Sequence, residues 1–202
     1  MSAPARLIRR QRSTPVNGAP PLKIVVTGPF SAGKTTLIKT ISEVAVVGTE
    51  RDVSDDTRSV KETTTVAMDF GRITFTDGLS LFLFGTPGQR RFEMMWEILS
   101  EGMIGFIVLV HAGDPRSVEE ARHILGTFRR YADVPFVIGV THLDEADDDP
   151  NEVLAKVKET LELPDDVALL VCDPRRRDDV KTVLLEILFG VLRRLEAAGS
   201  PN

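Results

Sequence analysis

The sequence predicts an α/β fold in three layers, with a six-stranded, mostly parallel sheet containing one antiparallel strand and covered by five helices. Three observations carry this. Apolar runs of strand length alternate with stretches of helical apolar spacing, the pattern of a parallel sheet whose crossovers cover both faces. One Asp77-Gly78 pair joins two strand-like runs, so a single strand enters antiparallel. A glycine-rich loop separates the first strand from the first helix, and such sheets bind ligands beyond the carboxyl ends of their strands.

LKIVVT (22–27) is the first buried strand, and KTTLIKTISEV (34–44) is helical through Leu37, Ile38 and Ile41. A polar loop over 48–62 leads to VAMDFGRITF (66–75) and LSLFLF (79–84), the two arms of the hairpin. From Gln89 to Ser100, the residues Phe92, Met95, Trp96 and Leu99 recur at i, i+3, i+4 and i+7, a helical face that packs inward or, with Met94, meets a partner. GFIVLV (105–110) is a strand, and Asp114-Pro115 caps and starts a helix to about Tyr131. PFVIGV (135–140) is the next strand, Asp149-Pro150 starts a helix to about Leu161, VALLVC (167–172) is the last strand, and 179–197 is an amphipathic helix.

Length and composition fit one globular domain over 22–198, flanked by a basic, disordered tail (1–21) and a short disordered C-terminus (199–202). The single cysteine, Cys172, excludes an intrachain disulfide and suits a reducing cytoplasm. No apolar run approaches the roughly 20 residues of a membrane span. The net charge is −5, yet the tail holds Arg6, Arg9, Arg10 and Arg12 and no acid, so the body is strongly acidic and unsuited to nucleic acid. Beside plain disorder, the tail's charge admits a weak contact with an anionic membrane or a targeting role.

GPFSAGKTT (28–36) matches G-x-x-x-x-G-K-[ST] in full. Glycines let the backbone curl so that successive N–H groups face phosphate oxygens, and the helix start adds its positive end. Gly28, Phe30, Ser31, Ala32, Gly33, Lys34, Thr35 and Thr36 are the candidate phosphate-binding residues. Lys34 is placed to reach the β and γ phosphates, and Thr35 to hold Mg²⁺ through its hydroxyl. The strand PFVIGV ends in Thr141-His142-Leu143-Asp144, putting a carboxylate at the mouth of the sheet. A carboxylate accepts from both the N1–H and the exocyclic amine of guanine, whereas adenine offers no such donor pair.

In order and spacing, GPFSAGKT, the Thr65 that opens TVAMDF, GTPGQ and THLD resemble the motifs of small Ras-like GTPases over about 22–197, in particular the bacterial branch related to MglA-type polarity switches. The resemblance implies a P-loop G domain that binds GTP and GDP with Mg²⁺ and hydrolyses GTP slowly as a molecular switch. It further implies protein effectors and a GTPase-activating partner, with roadblock-type regulators as candidates. Thr65 corresponds to the first-switch threonine that ligates Mg²⁺, with Thr63 and Thr64 beside it. Gly88 corresponds to the glycine whose N–H meets the γ-phosphate, and Gln89 to the glutamine that orients the attacking water. With Lys34, these make Gln89 and Thr65 the candidate catalytic residues.

Three departures from the family pattern stand out. Gly85 occupies the place of the aspartate that supports Mg²⁺, so the ion is expected to rest on Thr35 and Thr65, with weaker Mg²⁺ dependence than in relatives. His142 replaces the usual lysine over the purine. In Cys172-Asp173-Pro174-Arg175, the candidate last base-contacting loop, Pro174 brings no backbone N–H. A non-hydrolysing nucleotide-binding scaffold, a P-loop kinase and an ATPase remain the competing readings.

Overall fold

The first strand, β1 (Leu22–Thr27), is buried over its last four residues and sits centrally. It pairs in parallel with β3 (Ser80–Gly85) on one side and β4 (Gly105–His111) on the other. β2 (Asp69–Thr74) runs antiparallel along β3, while β5 (Phe136–Thr141) and β6 (Leu169–Val171) extend the sheet in parallel beyond β4. The order is β2-β3-β1-β4-β5-β6, and the only antiparallel pair among the described residues is the one that the Asp-Gly turn predicts. This computed structural model describes residues 21–46, 68–75, 78–88, 92–146 and 148–199. Thr65, Gln89, the basic tail and the polar loop over 48–62 lie outside them.

Among the described residues five helices cover the sheet: α1 (Lys34–Ile41), α2 (Met94–Ser100), α3 (Pro115–Tyr131), α4 (Pro150–Thr160) and α5 (Arg177–Gly199). Because side chains alternate across a strand, each buried strand feeds two cores. Ile24, Val26, Ile107 and Leu109 meet Leu37 and Ile38 of α1 and Val183 and Ile187 of α5. On the opposite face Val25, Phe106, Val108 and Val110 meet Trp96 of α2, Ala121 and Phe128 of α3 and Val157 of α4. The Trp96 face therefore turns inward, with Trp96 fully buried and Leu99 beside it, whereas Met94 is exposed.

The predicted caps form: the Asp114 carboxylate accepts from the Arg116 N–H at 3.0 Å, and Asp149 from the Asn151 N–H at 2.9 Å, each ahead of a first-turn proline. The first helix stops at Ile41, three residues before its predicted end. Ser42 turns extended there, and its hydroxyl accepts the Arg72 N–H at 3.2 Å, tying the helix end to β2. β6 is shorter than predicted, and α5 begins at Arg177 rather than at residue 179.

Phe128 stacks near Trp96 and Phe106, with ring centroids 5.8 and 5.4 Å apart, and is fully buried. Phe128→Ala should cost about 3–5 kcal/mol through lost contacts and an unfilled cavity. Urea denaturation checks this as a lower midpoint with an unchanged slope.

Candidate functional site

The phosphate loop leaves β1 at Gly28 and enters α1 at Lys34. Gly28 has φ +140°, and a Cβ there would lie 2.3 Å from the Leu109 carbonyl oxygen, so β4 leaves room only for glycine. Gly33 (φ +91°) sits at the helix start, where a Cβ would come within 2.9 Å of the Pro174 ring. No side chain caps α1. Its first N–H groups thus stay available to a ligand at the positive end of the helix. Ser31 takes a left-handed φ of 62° in the bend, Ala32 is buried, and Phe30 and Thr36 are exposed.

Lys34 is buried, and its ammonium donates to the carbonyls of Gly28 (2.9 Å) and Pro29 (2.5 Å). Burial lowers its pKa to about 8, with Asp69 pulling the other way. Gly88 lies over this loop: a Cβ there would meet the Phe30 N at 2.7 Å and the Lys34 Nζ at 2.9 Å. Its segment is anchored behind, since the Thr86 N–H donates to the Val26 carbonyl (3.0 Å), the Thr86 hydroxyl to Thr27 (2.8 Å) and the Trp96 indole to the Pro87 carbonyl (3.4 Å).

At this end of the site the structure adds an acid that the sequence reading did not place there. The β2–β3 register sets Asp69 directly opposite Gly85. The Thr35 hydroxyl donates to the Asp69 Oδ2 at 2.5 Å, and a Cβ on Gly85 would lie 2.9 Å from the Asp69 Cβ and 3.1 Å from its Oδ2. The carboxylate absent from β3 thus arrives from β2, in space that Gly85 leaves open. Hydroxyl and carboxylate oxygens side by side form the donor set that a hard divalent cation takes. Sequence reasoning missed Asp69, although equal steps outward along the sequence from the Asp77-Gly78 pair's aspartate lead to 69 on one arm and 85 on the other, the positions that the register pairs.

A cavity of about 360 Å³ adjoins the loop, and Gly33, Thr36, His142, Asp144, Pro174 and Arg175 are among its lining residues. Thr141 is fully buried, and its hydroxyl lies 3.2 Å from the carbonyls of both Ala32 and Val110; it braces the phosphate loop against β4. His142 adopts a left-handed φ of 54°, bonds Thr141 Oγ1 through Nδ1 (2.9 Å) and stacks on His111 at 3.9 Å with the rings nearly parallel. Burial and the neighbouring His111 lower the His142 pKa, which favours a neutral ring at neutral pH.

Asp144 follows in a short 3₁₀ turn (Leu143–Glu145), with its carboxylate well exposed to the cavity. Asp173 is instead engaged: it accepts from the Arg175 backbone N–H (2.9 Å), Nε (2.8 Å) and Nη2 (2.9 Å), and these bonds hold its carboxyl below the usual range. Cys172 is buried, and burial pushes its thiol up to about 12, so it is no nucleophile. A larger cavity of about 730 Å³ lies at the other end of the sheet, between Phe136, Val167 and Gly190, away from these groups. His111, His142 and Glu145 are close enough to share an ion, but the histidine rings stack face to face, and a metal binds imidazole nitrogens in the ring plane.

A strand–phosphate loop–helix unit at the carboxyl edge of a mostly parallel sheet, with a cavity beside it, defines a P-loop nucleotide-binding protein. A family model described as "conserved hypothetical ATP binding protein" matches residues 46–190, and the chain belongs to that family. The matched region begins after the phosphate loop, so the loop is an independent sign of nucleotide binding. An uncharacterized protein of Methanocaldococcus jannaschii is 31% identical over 134 residues, 65% of this chain and 77% of that protein. Translation initiation factor IF-2 of a Geobacillus species is 27% identical over 91% of this chain, and that of Lawsonia intracellularis 26% over 77%. The chain spans only 24% and 15% of those two factors. No helix of the described residues is long and apolar enough to cross a membrane.

Since Lys34 loses its charge near pH 8 and phosphate favours the charged amine, nucleotide affinity should be flat below about pH 7 and fall as pH rises through about 8. Lys34→Arg, which keeps its charge, should flatten that profile even if binding is weaker. Equilibrium titration with a nucleoside diphosphate at a series of pH values checks both.

Proposed function

We propose that the protein is a small GTPase: a switch that binds GTP and GDP and slowly converts GTP to GDP and phosphate. The observation that carries this reading is Asp144. Its carboxylate faces the cavity that adjoins Gly33 of the phosphate loop, where a purine edge would lie. Guanine offers two adjacent donors to such a carboxylate. Adenine turns its N1 acceptor toward it, and two acceptors repel, so the same residue weighs against the ATP reading that the family description suggests.

In this reading Lys34 leaves the Gly28 and Pro29 carbonyls for the phosphates, the N–H groups at the start of α1 cradle them, and Thr141 keeps the loop in place. Gly88 presents its backbone to the terminal phosphate, and Gln89, the next residue in the chain, orients the attacking water. Thr35 and Asp69, with Thr65 from the first switch, would hold Mg²⁺. When bound, the ion supplies neutralising charge to the β and γ phosphates. The neutral His142 packs against the nucleotide from the THLD turn. Effectors and an activating partner, with roadblock-type regulators as candidates, follow from the family resemblance and belong to this proposal.

Single-turnover phosphate release from bound GTP is the test. The wild type should release phosphate slowly, and Gln89→Leu should bind GTP as tightly yet release it at least tenfold more slowly. GTP bound tightly by both and cleaved by neither, even with a candidate activator, would instead identify a nucleotide-binding scaffold. Asp69→Asn should raise the Mg²⁺ concentration needed for half-maximal GTP binding by about tenfold, because the ion keeps Thr35 but loses a charged ligand. Asp144→Asn should turn preference from guanine toward xanthine nucleotides.

A further inference from the structure

Guanine presents its N7 and O6 acceptors next to its N1–H and N2–H donors. Asp144 answers only the donor half. A backbone N–H from the loop after β6 is the expected partner for O6, but in this chain none is free to serve. Pro174 has no N–H. The Asp173 N–H is taken by Asp179 Oδ2 at 3.0 Å, the Arg175 N–H by Asp173 Oδ1 at 2.9 Å, and the Arg176 N–H by the Asp173 carbonyl at 2.9 Å. Pro174 is also locked in place, with its carbonyl accepting from the Thr40 hydroxyl at 2.7 Å and its ring against Gly33.

What stands at this place is a guanidinium. Arg175 Nε and Nη2 grip both carboxylate oxygens of Asp173 at 2.8 and 2.9 Å, while the same Nη2 lies 3.6 Å from Asp144 Oδ2. Two of its five N–H donors are spent on Asp173, and the fork is held beside the base-reading carboxylate in the wall of the cavity. We propose that Arg175 is the specificity-determining residue for the six-position of the base: its guanidinium, held by Asp173, donates to guanine O6 where the loop backbone has no donor to give.

This assignment rests on the guanine reading above and deepens it. Arginine donors match the O6/N7 edge of guanine well. Side by side, Arg175 and Asp144 present donor then acceptors, the complement of guanine's acceptors then donors. Adenine reverses both, since its six-position amine would face a guanidinium and its N1 a carboxylate. Asp173, singled out in the sequence as a base contact, becomes the residue that positions Arg175.

The test is equilibrium titration of the full chain with GDP, 6-thio-GDP, XDP and ADP. Sulfur is a poorer acceptor than oxygen, so 6-thio-GDP weakens the contact to the six-position while keeping the N1–H and N2–H donors that Asp144 reads. The wild type should bind GDP about tenfold or more tightly than 6-thio-GDP. Arg175→Ala should lose about tenfold for GDP, bind the two ligands alike, and still reject XDP through Asp144. Arg175→Lys, with charge but no fork, should recover only part of the difference. An Arg175→Ala protein that keeps the wild-type ratio of GDP to 6-thio-GDP overturns the assignment, whether or not its overall affinity falls. A residue that merely closed the Asp173 turn would weaken both ligands equally. Wild-type protein that binds ADP as tightly as GDP overturns the guanine reading and this assignment with it, and that outcome is visible before any variant is made.

Discussion

The hydrogen bond from the Thr35 hydroxyl to Asp69 is the contact on which the phosphate end of the site depends. It joins the first turn of α1 to β2, a strand from the far edge of the sheet that reaches the site only because it folds back along β3. Two constraints meet there. The hairpin register must be held so that Asp69 faces residue 85, and residue 85 must be small enough to admit it. A one-residue slip would send Asp69 to the opposite face of the sheet. The slip is opposed by Leu81 and Leu83, which are buried in the core beneath α1, and by the ring contacts of Phe70 with Phe82 and Phe84 on the other side. The same pleat that packs the core therefore aims the carboxylate.

The base end is built on a different principle, in which polar groups are spent on one another and only a few are left facing the cavity. Thr141 braces the phosphate loop, His142 leans on Thr141 and His111, and Asp173 is consumed by Arg175 and by its own turn. Asp144 and Arg175 line the cavity, both largely exposed. A site so organised needs little rearrangement to bind, since its side chains are held in position by one another. Asp144 and Arg175 also lie largely exposed, where an ion pair by itself adds little to stability. Their arrangement is better explained by recognition than by folding.

Much of the fold was legible in the sequence because it rests on local pattern: the apolar run LSLFLF, the helical face through Trp96 and the Asp-Gly pair each predict an element or a pairing that the structure shows. The phosphate loop was legible because its chemistry is local, with every group supplied by one short stretch. Asp69 was hidden in plain view, since its partner position lies across a hairpin and its importance appears only when residue 85 is seen to lack a side chain. Arg175 was less accessible still. Its role depends on where the N–H groups of Asp173, Arg175 and Arg176 are spent, and one of them goes to Asp179 on α5. The stack of His111 on His142 follows from the β4–β5 register, which sets His111 opposite Thr141, and no spacing in the sequence encodes it.

One carboxylate, delivered from β2 into the space above Gly85, serves the Thr35 end of the site. Moving that carboxylate between the strands tests it most directly, with the Mg²⁺ concentration for half-maximal nucleotide binding measured for Asp69→Gly, and for Asp69→Gly combined with Gly85→Asp. The single change should raise that concentration, and the second, now free of the clash with Asp69 and with only the flexible end of Ile38 left within 2.9 Å of the new Cβ, should bring it back toward the wild-type value. A single variant indistinguishable from wild type, or a double variant no better than the single, would contradict it.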